Sequence, residues 1–432
     1  MKRPLILILC LVLSLVAYTN CDNLAGNIQK TVTTSQSRNA ISIEEALRLL
    51  SEYEGVPAKS SDRQVKNIVY IPNPNYDAVT KSSNTLSEDN PYLLYVVNYE
   101  DDGGYVVLSA YRRLPTDIYA ITESGNIDES DIYGQDEEDY PISLVYQSAR
   151  GHIPGTDTTT TDPTLPYPGE PFDPYPPIDL ETGEWIITTW GPWQDINKIP
   201  KMLQTKWHQG SPFNDYISAE YAGCTPIALF QIIAYNAYPI HYKINNIVIP
   251  LDTLRTMRDI DPNSIFANCV ATFVSNIHDR YFEIDFGENG VLMFPTIAED
   301  YLDFLGYSNV QLHKSRSTFE DQMVYSSLAE GYPVLISALK SITSGHTWVI
   351  DGYLSQYRVG VKYGEVSGDY YGSVTEQRQL FHCNWGWGGK SDGYFYAGIF
   401  DSNHPAIQMG VSQMGKDGKY DSFYRIITYK KP

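Results

Sequence analysis

The stretch Ala222–Pro239, AGCTPIALFQIIAYNAYP, places a single cysteine, Cys224, after a glycine and ahead of a long apolar run. Pro226 suits the first turn of a helix, where its missing N–H costs nothing. Tyr238-Pro239 is a stop signal. Cys224 is therefore expected at a helix N-terminus. The unpaired N–H groups and partial positive charge there favour a thiolate, the nucleophilic form of cysteine. The competing reading is a small core residue, the usual fate of a free cysteine. A second candidate is His346, in Gly345-His346-Thr347-Trp348-Val349-Ile350-Asp351-Gly352-Tyr353, at the start of an apolar strand. A third is Asn384, in the aromatic, glycine-rich Phe381–Gly389. A fourth is Gln209, in Trp207-His208-Gln209-Gly210. Together they could carry out acyl transfer. A thiolate attacks an acyl carbon, an imidazolium protonates the leaving amine, and an amide orients the imidazole. Gln209 and the Cys224 backbone N–H are candidate oxyanion donors. Taken singly, each signal is weak: a lone strand histidine is usually structural, and Trp-Gly pairs usually mark packing.

The elements that must position these residues are legible in the pattern. Ser42–Leu50 reads as an amphipathic helix with Ser42 as N-cap and Glu45 at the capping-box position. Tyr92–Tyr99 and Tyr105–Leu108 flank Asp101-Asp102-Gly103-Gly104, which is turn chemistry, and Ile118–Ile121 reads as another strand. Beyond position 190, Thr296–Leu305 and Ser317–Glu330 read as helices closed by Gly306 and Gly331. Strands are expected at Pro333–Leu339, from His346, at Gln379–Asn384 and at Tyr420–Tyr429. There is no βα alternation, so the fold class is α+β.

Between the two folded regions the composition shifts. Ile121–Tyr140 holds eight acidic residues, and Pro154–Pro177 holds eight prolines. Such sequence favours an extended, exposed linker over a core, although an ordered loop packed by its aromatics is the alternative. The boundaries expected are 1–21 export signal, 22–40 tether, 41–150 a small α+β domain, 151–190 linker and 191–432 a dense second domain.

A formal charge of −21 over 432 residues argues against nucleic acid or anionic membranes as partners. Met1-Lys2-Arg3 followed by Leu5–Ala17 reads as a signal peptide, too short to span a membrane, so a secreted or cell-surface location is expected. Cys21 stands where a bacterial lipoprotein would be lipidated, but Tyr18-Thr19-Asn20 fits a lipobox poorly. Three later cysteines make no disulfide framework, although a Cys269–Cys383 bridge is possible. No histidine has metal-ligand spacing and no phosphate-binding loop is present, so neither a metal nor another cofactor is expected.

Four blocks, TKWHQGSPFN, GCTPIALFQIIAYNAYP, GHTWVIDGY and HCNWGWGGKSDGYF, resemble those of the streptopain family of papain-like cysteine peptidases. YLLYVVNYEDDGGYVVLSA resembles that family's inhibitory propeptide. The Cys…His…Asn order is that of papain-like enzymes. The resemblance implies a papain-like domain, with a helix carrying the nucleophile packed on an antiparallel sheet, preceded by a propeptide domain. It implies Cys224 as nucleophile, His346 as general base and acid, Gln209 in the oxyanion hole, and Asn384 and Trp385 around the histidine. Gly345, Gly287 and Trp385 correspond to substrate-binding positions. Protein or peptide substrates are then expected, with the propeptide as intramolecular inhibitor and cleavage favoured within Ile178–Lys201. Thr225-Pro226 and the shorter Met409–Lys419 depart from the family pattern. An acyl transferase, or a non-catalytic binding protein on a decayed peptidase scaffold, are the alternatives.

Overall fold

The computed structural model describes residues 40–51, 63–74, 76, 90–112, 114–132, 140–152, 179, 182–281, 284–285, 291–292, 295–315, 319–341, 344–400 and 422–432. The signal peptide, Cys21, nearly all of the tether, most of the proline-rich linker, Gly287 and Met409–Lys419 lie outside the described residues. No described helix is long and apolar enough to cross a membrane.

The N-terminal region begins with α1 (Ile43–Ser51), capped by the Ser42 hydroxyl, which accepts the Glu45 N–H at 3.2 Å. Strands β1 (Val65–Pro72), β2 (Tyr92–Tyr99), β3 (Tyr105–Ser109) and β4 (Ile118–Thr122) follow, then α2 (Tyr140–Gly151). Strand β2 is buried on both faces. Leu94 and Val96 share a core with Ile142, Val145 and Ala149 of α2. Tyr95, Val97 and Tyr99 share another with Ala46 and Leu50 of α1. Period-two alternation thus serves two helices, one on each side.

The second region contains β5 (Ile186–Trp190), β6 (Gln194–Ile199), α3 (Cys224–Asn236), α4 (Ile265–Arg280), α5 (Thr296–Phe304), β7 (Ser308–Ser315) and α6 (Asp321–Ala329). It continues with β8 (Val334–Ser341), β9 (Ser344–Gly364), β10 (Tyr370–Asn384), β11 (Gly393–Tyr396) and β12 (Ser422–Lys430). All twelve strands form one antiparallel sheet in the order β1-β2-β3-β4-β11-β10-β9-β8-β12-β7, with β5 and β6 added along β9. The two regions are therefore joined strand to strand, through β4 and β11.

Helix α3 is apolar all round, and Thr225–Ala234 is buried without a break, as a central helix should be. Leu335, Val349 and Ile427 of the sheet pack in its core, and Phe230 stacks on Phe273 of α4 at 4.1 Å. The opposite sheet face, with Ile336, Trp348 and Ile350, is covered by Phe319, Val324 and Leu328.

Two expectations are corrected, and the open question of a Cys269–Cys383 bridge is answered. Residues 186–190, assigned to the linker, form β5 on β9. The favoured cleavage stretch, Ile178–Lys201, therefore contains two hydrogen-bonded strands, and a protease would have to unpair them. Cys269 and Cys383 are both buried and free, and no bridge joins them.

Candidate active site

Gly223, at φ 85°, occupies the left-handed region that a side chain disfavours, and the chain turns there into α3. Cys224 is the first residue of that helix and is half-buried. The following residue fixes the helix start to the sheet: the Thr225 and Thr347 hydroxyls lie 3.0 Å apart. Thr347 follows His346 on β9. The cysteine and histidine blocks, far apart in sequence, thus meet through the residues that follow Cys224 and His346.

Alternation along β9 puts Val349 in the core around α3 and Trp348 in the core on the other face. His346 is 1% exposed. Its ring stacks on Trp387 at 4.4 Å and lies parallel to Trp348 at 6.0 Å. Its Nε2 lies 2.9 Å from the Trp385 carbonyl oxygen. A carbonyl only accepts, so Nε2 carries the proton, and in the neutral ring the lone pair is on Nδ1. Burial pushes His346 down to about 4, and the hydrogen bond to Trp385 offsets only part of that shift.

Asn384 does not orient the imidazole. Its Oδ1 accepts from Gln231 Nε2 at 3.1 Å and from the Gly386 N–H at 3.2 Å. Its Nδ2 donates to the Thr205 carbonyl at 2.8 Å. Gln231 lies about two turns along α3 from Cys224, so Asn384 ties that helix to the loop following β10. The group holding His346 is the backbone carbonyl of Trp385, which side-chain motifs cannot reveal. Asn384→Ala is accordingly expected to act on stability first. It strands buried partners at about 1–3 kcal/mol each. A lowered melting temperature, with specific activity of the folded fraction within about tenfold, is the expected result; full stability with lost activity would contradict it.

Gln209 is half-buried, and its backbone carbonyl accepts the Ala222 N–H at 2.7 Å, two residues before Cys224. The Gly388 N–H donates to the Trp207 carbonyl at 3.0 Å, joining this segment to the tryptophan loop. His278 of α4 bonds the Ala222 carbonyl at 3.0 Å. Gly345 is half-buried beside His346 and pairs with Leu339. Trp385 is fully buried against Trp348, at 5.0 Å, so in this form its indole is shielded from a substrate. What Trp385 offers the site in this form is its carbonyl, the acceptor for His346.

The loop between β10 and β11 is itself clasped by the N-terminal region. The Glu123 N–H donates to the Asp392 carbonyl at 2.8 Å, and the Ser391 N–H to the Ser124 carbonyl at 3.2 Å. The Glu123 carboxylate bonds Lys201 and lies 3.5 Å from His382 Nε2. Burial opposes charge on His382, but Asp351 at 2.6 Å, together with Glu123, raises it to about 9. Among the described residues no group of acids, histidines and cysteines could hold a metal ion.

A model of the Peptidase C10 family matches residues 270–395, which include Gly345, His346 and Asn384 and stop short of Gln209 and Cys224. No curated protein matches the chain. A solved fragment of Prevotella intermedia prointerpain A, carrying a cysteine-to-alanine substitution, is similar in fold. It has a TM-score of 0.50 and 18% identity, covering 80% of this chain and 98% of that one. Active wild-type Prevotella intermedia interpain A, a cysteine protease, matches with a TM-score of 0.37 and 20% identity, over 54% of this chain and 95% of that one. Residues 270–395, with the histidine and asparagine blocks, thus match the Peptidase C10 family, and the chain shares a helix-and-sheet fold with prointerpain A.

Proposed function

We propose that the chain is an exported cysteine endopeptidase made as a zymogen, with Cys224 as nucleophile and His346 as base and acid. The observation that carries this reading is the Thr225–Thr347 contact, which sets the start of the cysteine helix against the histidine strand. In the reaction, His346 Nδ1 takes the Cys224 thiol proton, and the thiolate adds to the substrate carbonyl carbon. The C–N bond then breaks as the imidazolium passes that proton to the leaving amine. Water hydrolyses the thioester by the same exchange in reverse.

Two features support a latent form of the site. A thiolate–imidazolium pair needs a histidine that can hold a proton near neutrality, and burial among tryptophans makes His346 a poor proton acceptor. Residues 123 and 124 bind the loop whose Trp385 carbonyl holds that ring. Both features support a prosegment spanning about residues 41–150 that keeps the site inactive, and the pairing of β5 and β6 with β9 favours cleavage N-terminal to Trp185. The signal-like Met1–Ala17 supports export.

The test is hydrolysis of a denatured protein by the wild-type chain, with new N-termini identified before and after processing. Uncut chain with full activity removes the zymogen part. Cross-linked or aminated product on adding an amine, in place of new N-termini, would indicate a transferase. Gln209→Ala is expected to lower kcat by about 10²–10³ with a smaller change in KM, because an oxyanion exists only after attack. A pure KM effect would remove Gln209 from the oxyanion hole.

A further inference from the structure

Two features of the second region are occupied only by the first. Strand β11 is bonded on one side to β10, and on the other to β4, with Gly393 opposite Thr122, Tyr394 opposite Ile121 and Phe395 opposite Ala120. Any Cβ at Gly393 would overlap the Ile121 carbonyl, so this edge is shaped for close approach of another backbone. The other feature is a three-donor box for one carboxylate. Asp117 Oδ1 accepts from Arg378 Nη1 at 2.5 Å, while Oδ2 accepts from Arg358 Nη1 at 2.9 Å and Trp193 Nε1 at 3.0 Å.

The box is held together by its own side of the interface. Arg358 Nε donates to Glu376 at 2.7 Å, and Arg378 Nε to Gln356 at 3.0 Å. Both guanidinium groups also lie over the Trp193 ring, at 4.5 and 3.9 Å. None of these partners belongs to residues 41–150. If that region leaves, both guanidinium groups lose the Asp117 carboxylate that lies between them, beside an open sheet edge. Asp117 precedes Ala120 by three residues, which is about 10 Å of extended chain. Edge and box therefore form one site with a fixed register.

We propose that the mature enzyme uses this as an exosite: an extended segment of a protein substrate adds to the β11 edge and places an aspartate between Arg358 and Arg378. Main-chain bonds to the edge supply sequence-tolerant affinity, and the box supplies selectivity for an acid. The aspartate stands three residues before a small residue, which takes the place of Ala120 opposite Phe395. The inference rests on the zymogen reading, because the site opens only when the prosegment leaves.

The test uses the full Cys224→Ala chain, with a site-specific protease sequence replacing Thr158–Thr161, cut in vitro with both pieces kept in solution. The probe is a short fluorescein-labelled peptide, unlike residues 114–124 except for an aspartate three positions before an alanine, and its asparagine twin. Anisotropy should show the aspartate peptide binding at least about tenfold more tightly, with the gap closing in R378Q. The two peptides are compared on the same protein, so the result stands even if R378Q fails to fold. Equal binding of the two peptides, a gap that persists in folded R378Q, or a prosegment that stays lodged and admits neither peptide would overturn the exosite. Failure of the zymogen reading shows separately, as an uncut wild-type chain that hydrolyses protein.

Discussion

Cys224→Ala is expected to abolish hydrolysis, lowering kcat/KM by roughly 10³-fold or more, with the fold intact. The thiol is half-buried at the first helical position, and alanine keeps the helix propensity and most of the volume there. His346→Ala should cost as much, because a thiol without its base is a weak nucleophile near neutrality. The double variant should be no worse than either single one, since groups that act as a unit are not additive. His346 is buried against three tryptophans, so its replacement leaves a cavity and Gln is the better substitute for a folded control. Near-UV circular dichroism checks the fold, and release of acid-soluble fragments from a denatured protein measures activity. Activity of a folded Cys224 or His346 variant within tenfold of wild type would sink the assignment.

The cysteine helix was legible because three local signals agree: glycine before, proline in the first turn, and an unbroken apolar run after. The N-terminal strands were legible because β2 and β3 are short, strongly apolar and joined by turn chemistry. The β9–β10 hairpin was legible only at its base. Beyond Leu354 and Leu380 the two strands carry many exposed residues and a few buried polar ones, Gln356, Arg358 and Arg378 among them, and their pairing comes from register with each other and with β5 and β6. Neither β5 nor β6 carries the buried alternating face that marks a strand in sequence. At the site, residue types pointed to Cys224 and His346, but the group holding the imidazole is a backbone carbonyl, invisible to any motif. Asn384 drew attention by its place in a family pattern, whereas its hydrogen bonds belong to the packing of α3. Asp117, Arg358 and Arg378 escaped notice because they lie far apart in the chain and meet only where β4 joins β11.

Asp117→Ala is expected to loosen the proposed prosegment strongly. The carboxylate is about 7% exposed, and its partners Arg358 and Arg378 are 9% and 1% exposed. Removing one member of such a buried set leaves uncompensated charge, typically costing about 3–5 kcal/mol. If that cost falls on docking, it corresponds to roughly 10²- to 5 × 10³-fold in the docked-to-undocked ratio. Glu123→Gln should have a smaller effect, because Glu123 is more exposed and its Lys201 partner is near the surface. Burial raises the Asp117 carboxyl, but Arg378, Arg358 and the Trp193 N–H outweigh it and hold the group below its ordinary value. A depressed carboxylate contributes its full stabilisation above the unfolded value of 3.8, and loses it as pH falls through the lower folded value. Prosegment release in the parent should therefore quicken in strong acid, and Asp117→Ala should flatten that part of the acid limb. The measurement uses a Cys224→Ala background, so that the chain cannot process itself. Trace trypsin and hydrogen exchange at the β3 and β4 amides would report opening of the prosegment. Opening at the parent rate in Asp117→Ala, with the same acid limb, would mean that the carboxylate is not what holds the prosegment in place.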